Sequence, residues 1–282
     1  MRFPVLEKCT LFDFLLNKVS GSGTKIRKKI KHGEVRVNGQ TVLRPDVVVI
    51  PGQAVEMVRS TLRTPFPVLY EDSSVVAVEK PPGVLSISTD RETSNTFYRT
   101  VNHYVQLRSQ GKERIFIVHR LDREVSGVML FAKSQAIQEA LQRNWSTTEK
   151  LYSALVEGHP PEKEGCIRSW LKENRIHKTY SGPEGPDAKY AITRYREHKR
   201  YPRHALLEID IETGRKNQIR AHLSELGCPI VGDRKYGAAE NPIHRLALHA
   251  FSLSFTHPVS GERITVKSPV PGIFEELGRP TR

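Results

Sequence analysis

"IFIVHRLDREVSGVMLFAKS", residues 115–134, decides how this chain is read. Two apolar runs flank a polar centre, and that centre sets a single acid, Asp122, between Arg120 and Arg123. The runs predict two buried strands, "RIFIVHRL" and "GVMLFAKS", on either side of a charged junction. A plain turn would do with Asn, Gly or Pro. The ordinary account of the acid is a structural ion pair. A carboxylate beside a cation stays ionised and is a poor general acid at neutral pH, yet it can serve as a nucleophile or an electrostatic stabiliser. Loops between rigid strands are where functional groups are often placed, and Gly127 permits a sharp backbone path after Ser126.

Downstream, "QAIQEALQRNW" predicts an amphipathic helix capped by Ser134, and "KLYSALVEG" and "CIRSWL" predict strands. "AKYAITRYREH" and "HALLEIDIETG" predict an antiparallel pair. "NQIRAHLSELG" reads as a short helix ended by Gly227, and "RLALHAFSLSFTH" and "RITVKSPV" read as late strands. Upstream, two β-rich runs separated by Glu-Asp-Ser-Ser lead into a Pro-Pro-Gly turn, and "TFYRTVNHYVQLRSQG" reads as a helix. Strands outnumber helices and adjacent runs are hairpin-like. The expected class is α+β with a mostly antiparallel sheet over residues 68–282.

The amino-terminal stretch is organised differently. Thr10, with Asp13 three residues later, predicts a capped helix over "LFDFLLNKV". "SGSG" breaks the chain. Thr24 is the expected cap of a second helix, "KIRKKIKH", with Gly33 as its left-handed stop. Ile26 and Ile30 form its apolar stripe, and Lys25, Arg27, Lys28, Lys29 and Lys31 cover the rest. Asn38-Gly39 within "EVRVNGQTVL" is a hairpin signal. Residues 1–60 therefore read as a small separate domain, 61–67 as a polar linker, and 68–282 as the main domain.

The chain of 282 residues has 44 Lys and Arg against 31 Asp and Glu, a net charge of +13. Residues 1–60 alone hold eleven basic and five acidic side chains. Such a balance implies a polyanionic partner. No apolar run approaches the roughly 20 residues that span a bilayer, and the amino terminus lacks the pattern of a secretory signal. Three scattered cysteines form no CxxC pair, so no zinc site or disulfide framework is expected and a cytoplasmic setting is the simplest reading.

Taken together, four stretches resemble the pseudouridine synthases of the RluA type. "HRLDREVSG" resembles their catalytic signature, with Asp122 at the catalytic aspartate. "EKPPGVLS" matches an early Lys-Pro-x-Gly motif, and "KLYSALVEG" the strand carrying an active-site tyrosine, here Tyr152. "TGRKNQIRAHLSELGCPIVGD" followed by "KYG" matches a third signature. There the resemblance places Arg220 as the arginine pairing with the aspartate, Ile219 as a wall of the uracil pocket, and Arg215 as a further substrate contact. Arg120 falls at the arginine associated with base flipping. Residues 11–58 resemble the RNA-binding module of the ribosomal protein S-four type, which implies Lys25, Arg27, Lys28 and Lys29 as RNA-backbone contacts.

The family usually has Thr where this chain has Val125 and His where it has Asn217. Neither change touches Asp122, Tyr152 or Arg220. The implied reaction detaches a flipped-out uracil from its ribose nitrogen linkage, turns it and rejoins it through carbon-5. It needs no cofactor or metal, and His119, His222 and His249 read as structural. Whether Asp122 attacks the ribose, abstracts a ribose proton or adds to the base stays open. The implied partner is RNA, ribosomal (large subunit) rather than transfer RNA, and the implied state is a monomer. Two alternatives remain at this point. One is a hydrolase pairing Asp122 with a second carboxylate such as Glu124. The other is a non-catalytic RNA-binding or ribosome-assembly protein.

Overall fold

The computed structural model describes residues 2–19, 21–31, 34–42, 44–58, 64–88, 96–109 and 111–278. The chain divides into two compact units, Met1–Pro65 and Phe66–Arg282.

In the first unit, β1 (Arg2–Pro4), β6 (Ala54–Met57), β3 (Val35–Val37) and β4 (Gln40–Thr41) form one sheet in that order. β2 (Cys9–Thr10) pairs with β5 (Val48–Val49). Thr10 caps α1 (Leu11–Lys18): its hydroxyl oxygen accepts from the Asp13 backbone N–H at 3.1 Å and its proton goes to the Asp13 carboxylate. The second helix, α2 (Gly23–Lys31), starts two residues before its expected position. The Ile26 N–H reaches the Ser22 carbonyl, so Thr24 lies inside the helix and is not its cap. The expected stop at Gly33 lies outside the described residues. Ile26 and Ile30 are buried with Leu11, Phe14 and Leu15, as their spacing required. Asn38 and Gly39 both take positive φ (49° and 81°) between β3 and β4, the hairpin geometry that this dipeptide favours.

Of the stretch expected as linker, residues 61–63 lie outside the described part. Phe66 is a core residue instead: it is 3% exposed and packs edge-on against Phe97 and Tyr104. Its apolar ring outweighs the polar, proline-rich context that suggested a tether.

The second unit runs through β7 (Val68–Glu71), β8 (Val75–Lys80), α3 (Phe97–Arg108), β9 (Phe116–Ile117), β10 (Ser126–Ala132) and α4 (Gln135–Arg143). It continues through β11 (Glu149–Glu157), β12 (Glu164–Glu173), β13 (Thr179–Gly182), β14 (Lys189–Arg200), β15 (His204–Ile211) and α5 (Gln218–Glu225). It closes with β16 (Leu248–Thr256), β17 (Arg263–Lys267) and α6 (Gly272–Gly278). The main sheet has the order β13-β12-β14-β15-β11-β16-β10-β8-β7, with β17 on β16 and β9 on β10. Among the strand pairs described, β10–β16 alone is parallel, through Ser126–His249 and Gly127–Ala250. The mostly antiparallel expectation holds, as does the β14–β15 pair. β13 and α6 were not foreseen.

β10 lies between β16 and β8 with all seven residues buried, which explains its unbroken apolar run. The run before it behaves otherwise. Only Phe116 and Ile117 pair with β10, and the chain from Val118 to Val125 leaves the sheet as an irregular loop. The role of Gly127 is also sharper than expected. With φ 121°, a Cβ there would lie 2.2 Å from the Ala250 carbonyl oxygen, so only glycine lets β10 meet β16 in parallel at this point.

Candidate active site

The loop bearing Asp122 is anchored from below. Lys80, fully buried at the end of β8, donates to the carbonyls of Pro81 (2.9 Å), Val84 (2.7 Å) and Arg123 (3.0 Å). Its three ammonium protons thus tie the Pro-Pro-Gly turn to the residue beside Asp122. Burial pulls its pKa down to about 8, with Glu124 and Asp122 opposing, so it remains charged at neutral pH. Ser86 adds a second anchor: its hydroxyl donates to the Leu121 carbonyl at 2.6 Å and accepts from the Leu121 N–H at 3.2 Å. The "EKPPGVLS" stretch is therefore a platform under the loop.

An open cleft of about 470 Å³ lies above it. Asp122, Tyr152, Arg220, Arg120, Ile219 and Arg215 all line it, together with Leu121, Val125, Ile211, Asn217 and Leu248. Every residue of the second unit proposed from sequence as catalytic or substrate-binding is thus brought to one place, though these residues are up to about a hundred positions apart in the chain. Glu124 is exposed and outside this lining, so no second carboxylate faces Asp122 from its own loop.

One expected contact is absent. Arg220 does not pair directly with Asp122 among the described residues. Its Nε and Nη2 donate to Asp233 at 2.6 and 2.7 Å, and its Nη1 donates to the Asn217 side-chain carbonyl at 3.0 Å. Burial opposes the Arg220 charge, but Asp233 and, through space, Asp122 hold it ionised. Asp233 went unnoticed in the sequence because it lies 13 residues beyond Arg220, in a turn. The only signal was a lone acid closing "CPIVGD".

Asn217 answers the doubt attached to it. It opens α5 with φ 52° and ψ 22°, a left-handed conformation that Asn tolerates better than most residues. Gln218 fixes the preceding loop: its carbonyl accepts from the Thr213 hydroxyl and the Arg215 N–H, and its amide donates to the Ile192 carbonyl and Thr193 hydroxyl. Val125 is buried at 3% exposure in the main core. A hydroxyl there would need its own partner, so the apolar residue fits.

Tyr152 packs against this core with its ring in the cleft wall. Burial, reinforced by the Asp122 charge, pushes its hydroxyl well above the usual phenol range. It is therefore a neutral phenol at neutral pH, suited to stacking and to donating, and not itself a ready base.

The three histidines set aside as structural sit in satisfied surroundings. His119 accepts from the Leu130 N–H at 2.9 Å and stacks on Trp145, with burial and Lys150 lowering its pKa to about 3. His222 bridges Thr193 and Ser169. His249 bridges Ser126 (2.8 Å) and Ser268 (3.1 Å), and burial takes it to about 4.

In the first unit, Lys25, Arg27 and Lys28 are exposed on α2. Arg27 stacks on Phe12 at 4.0 Å and Lys29 lies 4.0 Å from Glu34, which leaves Lys25 and Lys28 the less engaged pair.

The family model described as RNA pseudouridylate synthase matches residues 74–225. An uncharacterized RNA pseudouridine synthase of Aquifex aeolicus is 32% identical over 91% of this chain and 88% of its own. A ribosomal large subunit pseudouridine synthase D of Neisseria meningitidis is 32% identical over 89% of this chain and 72% of its own. Human RNA pseudouridylate synthase domain containing 1 has a similar structure, with a TM-score of 0.58 and 27% identity over 73% of this chain and 84% of its own. Human RNA pseudouridylate synthase domain containing 4, at 23% identity and a TM-score of 0.62 over 74% of this chain and 90% of its own, shares the fold.

Proposed function

The chain belongs to the RNA pseudouridine synthase family and is an RNA pseudouridine synthase, and on that premise we propose that it is of the RluA type and isomerises uridines in ribosomal RNA, with the large subunit favoured. The observation that carries the site assignment is the convergence of Asp122, Tyr152 and Arg220 on one cleft with Arg120, Arg215 and Ile219.

In this reading the target nucleotide leaves its stack, at a cost of a few kcal/mol. The exposed Arg120 props the space it vacates. The uracil enters between Tyr152 and Ile219, where the neutral phenol ring offers a π-face for stacking. Asp122, free of a direct side-chain partner among the described residues, attacks the ribose, takes a ribose proton or adds to the base. Each route begins with a carboxylate that the cleft leaves accessible, and Asp122 lines that cleft. Arg220 supplies positive charge at the cleft without locking the acid into a pair. Arg215, exposed at the cleft, meets a phosphate of the same strand. The likeness to the Neisseria large-subunit enzyme and the basic first unit support ribosomal RNA as substrate, with Lys25, Arg27, Lys28 and Lys29 as backbone contacts.

The test is tritium release. Cellular RNA labelled with tritium at carbon-5 of uridine is incubated with wild type and with Asp122→Asn. Wild type should release tritium without free uracil, and Asp122→Asn should release at least about a thousandfold less. Release of free uracil would indicate hydrolysis. Equal release from both proteins would remove Asp122 from the chemistry.

A further inference from the structure

Strands β13, β12 and β14 form one end of the main sheet, and one of its faces there has no part in the reaction as described. α5 packs against β13 and β14 from one side, where His222 meets Ser169 and Thr193 and Glu225 meets Ser181. Register and alternation put Arg168, Trp170 and Lys172 of β12, Tyr180 of β13 and Tyr190 of β14 together on the opposite side. Lys172 stands across from Tyr180, and Trp170 across from Tyr190 with ring centroids 5.2 Å apart. The other cross-strand neighbour of Trp170 is Gly182, which has no side chain to cover the indole. Tyr180 and Tyr190 are 41% and 38% exposed, and Arg168 is exposed beside them.

Farther along the same face, Arg194 is matched by Glu212 and Arg196 by Glu208. Arg168 and Lys172 have no carboxylate partner among the described residues. Unmatched cations set among open aromatic rings suit a strand of nucleotides, whose bases stack on any π-face while its phosphates take the positive charge. They suit a protein partner poorly, since the core of such an interface is depleted of lysine. The face also continues from the cleft. β15 ends its pairing with β14 at Ile211–Thr193, so Tyr190 lies beyond it. The Tyr190 carbonyl accepts from the Arg215 Nε at 3.0 Å, and Arg215 lines the cleft.

We propose that this face is a platform for single-stranded RNA: the strand carrying the target uridine leaves the cleft over Arg215 and stacks its next bases on Tyr190, Trp170 and Tyr180, with Arg168 and Lys172 at its phosphates. This rests on the assignment of the cleft as the uridine site.

The full-length protein is tested by filter binding with an RNA of about 12 nucleotides, made of adenosine and cytidine only, as a single strand or annealed to its complement. Tyr180→Ser with Tyr190→Ser should weaken single-strand binding at least about tenfold and duplex binding less than about twofold, since only unpaired bases offer their faces. Arg168→Gln with Lys172→Gln should lower the slope of log affinity against log salt by about 1.4 on the single strand. Tryptophan fluorescence reports on the face directly. The chain has two tryptophans, and the single strand should quench wild type but not Trp170→Phe, whose affinity stays within about threefold because a ring remains. On tritium-labelled cellular RNA well below saturation, the tyrosine double variant should release tritium about tenfold more slowly. Equal losses on single strand and duplex, an unchanged affinity for the single strand, or an unquenched wild type would overturn the proposal. So would a changed oligomeric state of the tyrosine variant in sedimentation with RNA affinity intact, which would mark the face as a contact between copies of this chain. A wild type that releases no tritium would instead sink the uridine reading, and binding and quenching by the uridine-free strand tell the two failures apart.

Discussion

Asp122 sits on a loop whose shape is decided by residues far from it in sequence. Lys80 is the plainest case, since its ammonium joins three carbonyls and one of them belongs to Arg123. Lys80→Met keeps an unbranched chain and strips those carbonyls of their donor. An unsatisfied buried acceptor costs about 1–3 kcal/mol, part of which is offset by no longer burying a charge. A net destabilisation of about 3 kcal/mol is expected by urea unfolding, with a larger loss in single-turnover rate than in RNA affinity. Unchanged stability and rate would show that the loop holds itself. At this scale the sequence was readable in bringing Asp122 forward as a candidate, and the structure places it in the cleft wall. The sequence was silent where a role depends on distance through space. The direct hydrogen bonds of Arg220 to Asp233 were not foreseen, because nothing in a one-dimensional pattern ranks Asp233 above Asp122.

The element that organises the site is the junction of β10 and β16. A parallel step within an otherwise antiparallel sheet puts Ser126 beside His249 and turns the Asp122 loop out toward the cleft. Gly127→Ala places a methyl group against the Ala250 backbone at a positive φ, both of which are costly. A loss of at least about 3 kcal/mol is expected, read as a lowered urea midpoint, and a midpoint equal to wild type would mean that the strands separate freely there.

The same junction makes stability pH-dependent. His249 and His119 have folded pKa values of about 4 and about 3, below the 6.5 of a free ring. Between those values the unfolded chain binds more protons than the folded one, so stability is complete above pH 6.5 and falls as the pH drops. At pH 5 the loss is about 2 kcal/mol per histidine. Urea midpoints at pH 7 and pH 5 measure it, and His249→Gln should remove about half of the difference. Equal midpoints at the two pH values would count against buried neutral rings. The elements themselves were mostly legible, since β10, α4, α5 and the β14–β15 pair follow from periodicity and caps. The short β9 was over-read, because a run of apolar residues predicts burial and not pairing.

For the whole molecule, charge is the relevant quantity. The net of +13 makes RNA affinity salt-dependent in proportion to the phosphates neutralised. Lys25 and Lys28 are exposed on α2 and less engaged than Arg27 or Lys29. Replacing both by Ala should lower the slope of log affinity against log salt by about 2 and leave the single-turnover rate at saturating RNA within about twofold. An unchanged slope would place the first unit off the RNA.

Taken alone, the sequence determined the strand-rich α+β class and a capped helix, basic helix and hairpin at the amino terminus, while the candidate site residues came from the resemblance to a known family. These follow from local periodicity, capping and motif order, all of which act over a few residues. Only the tertiary structure decided that β10 and β16 run parallel, that Phe66 is core, and that Asp233 holds Arg220 while Asp122 carries no direct partner among the described residues. Each of these depends on which distant groups meet in the fold, and ion pairs and close backbone approaches are set by distance in space, to which spacing along the chain is blind.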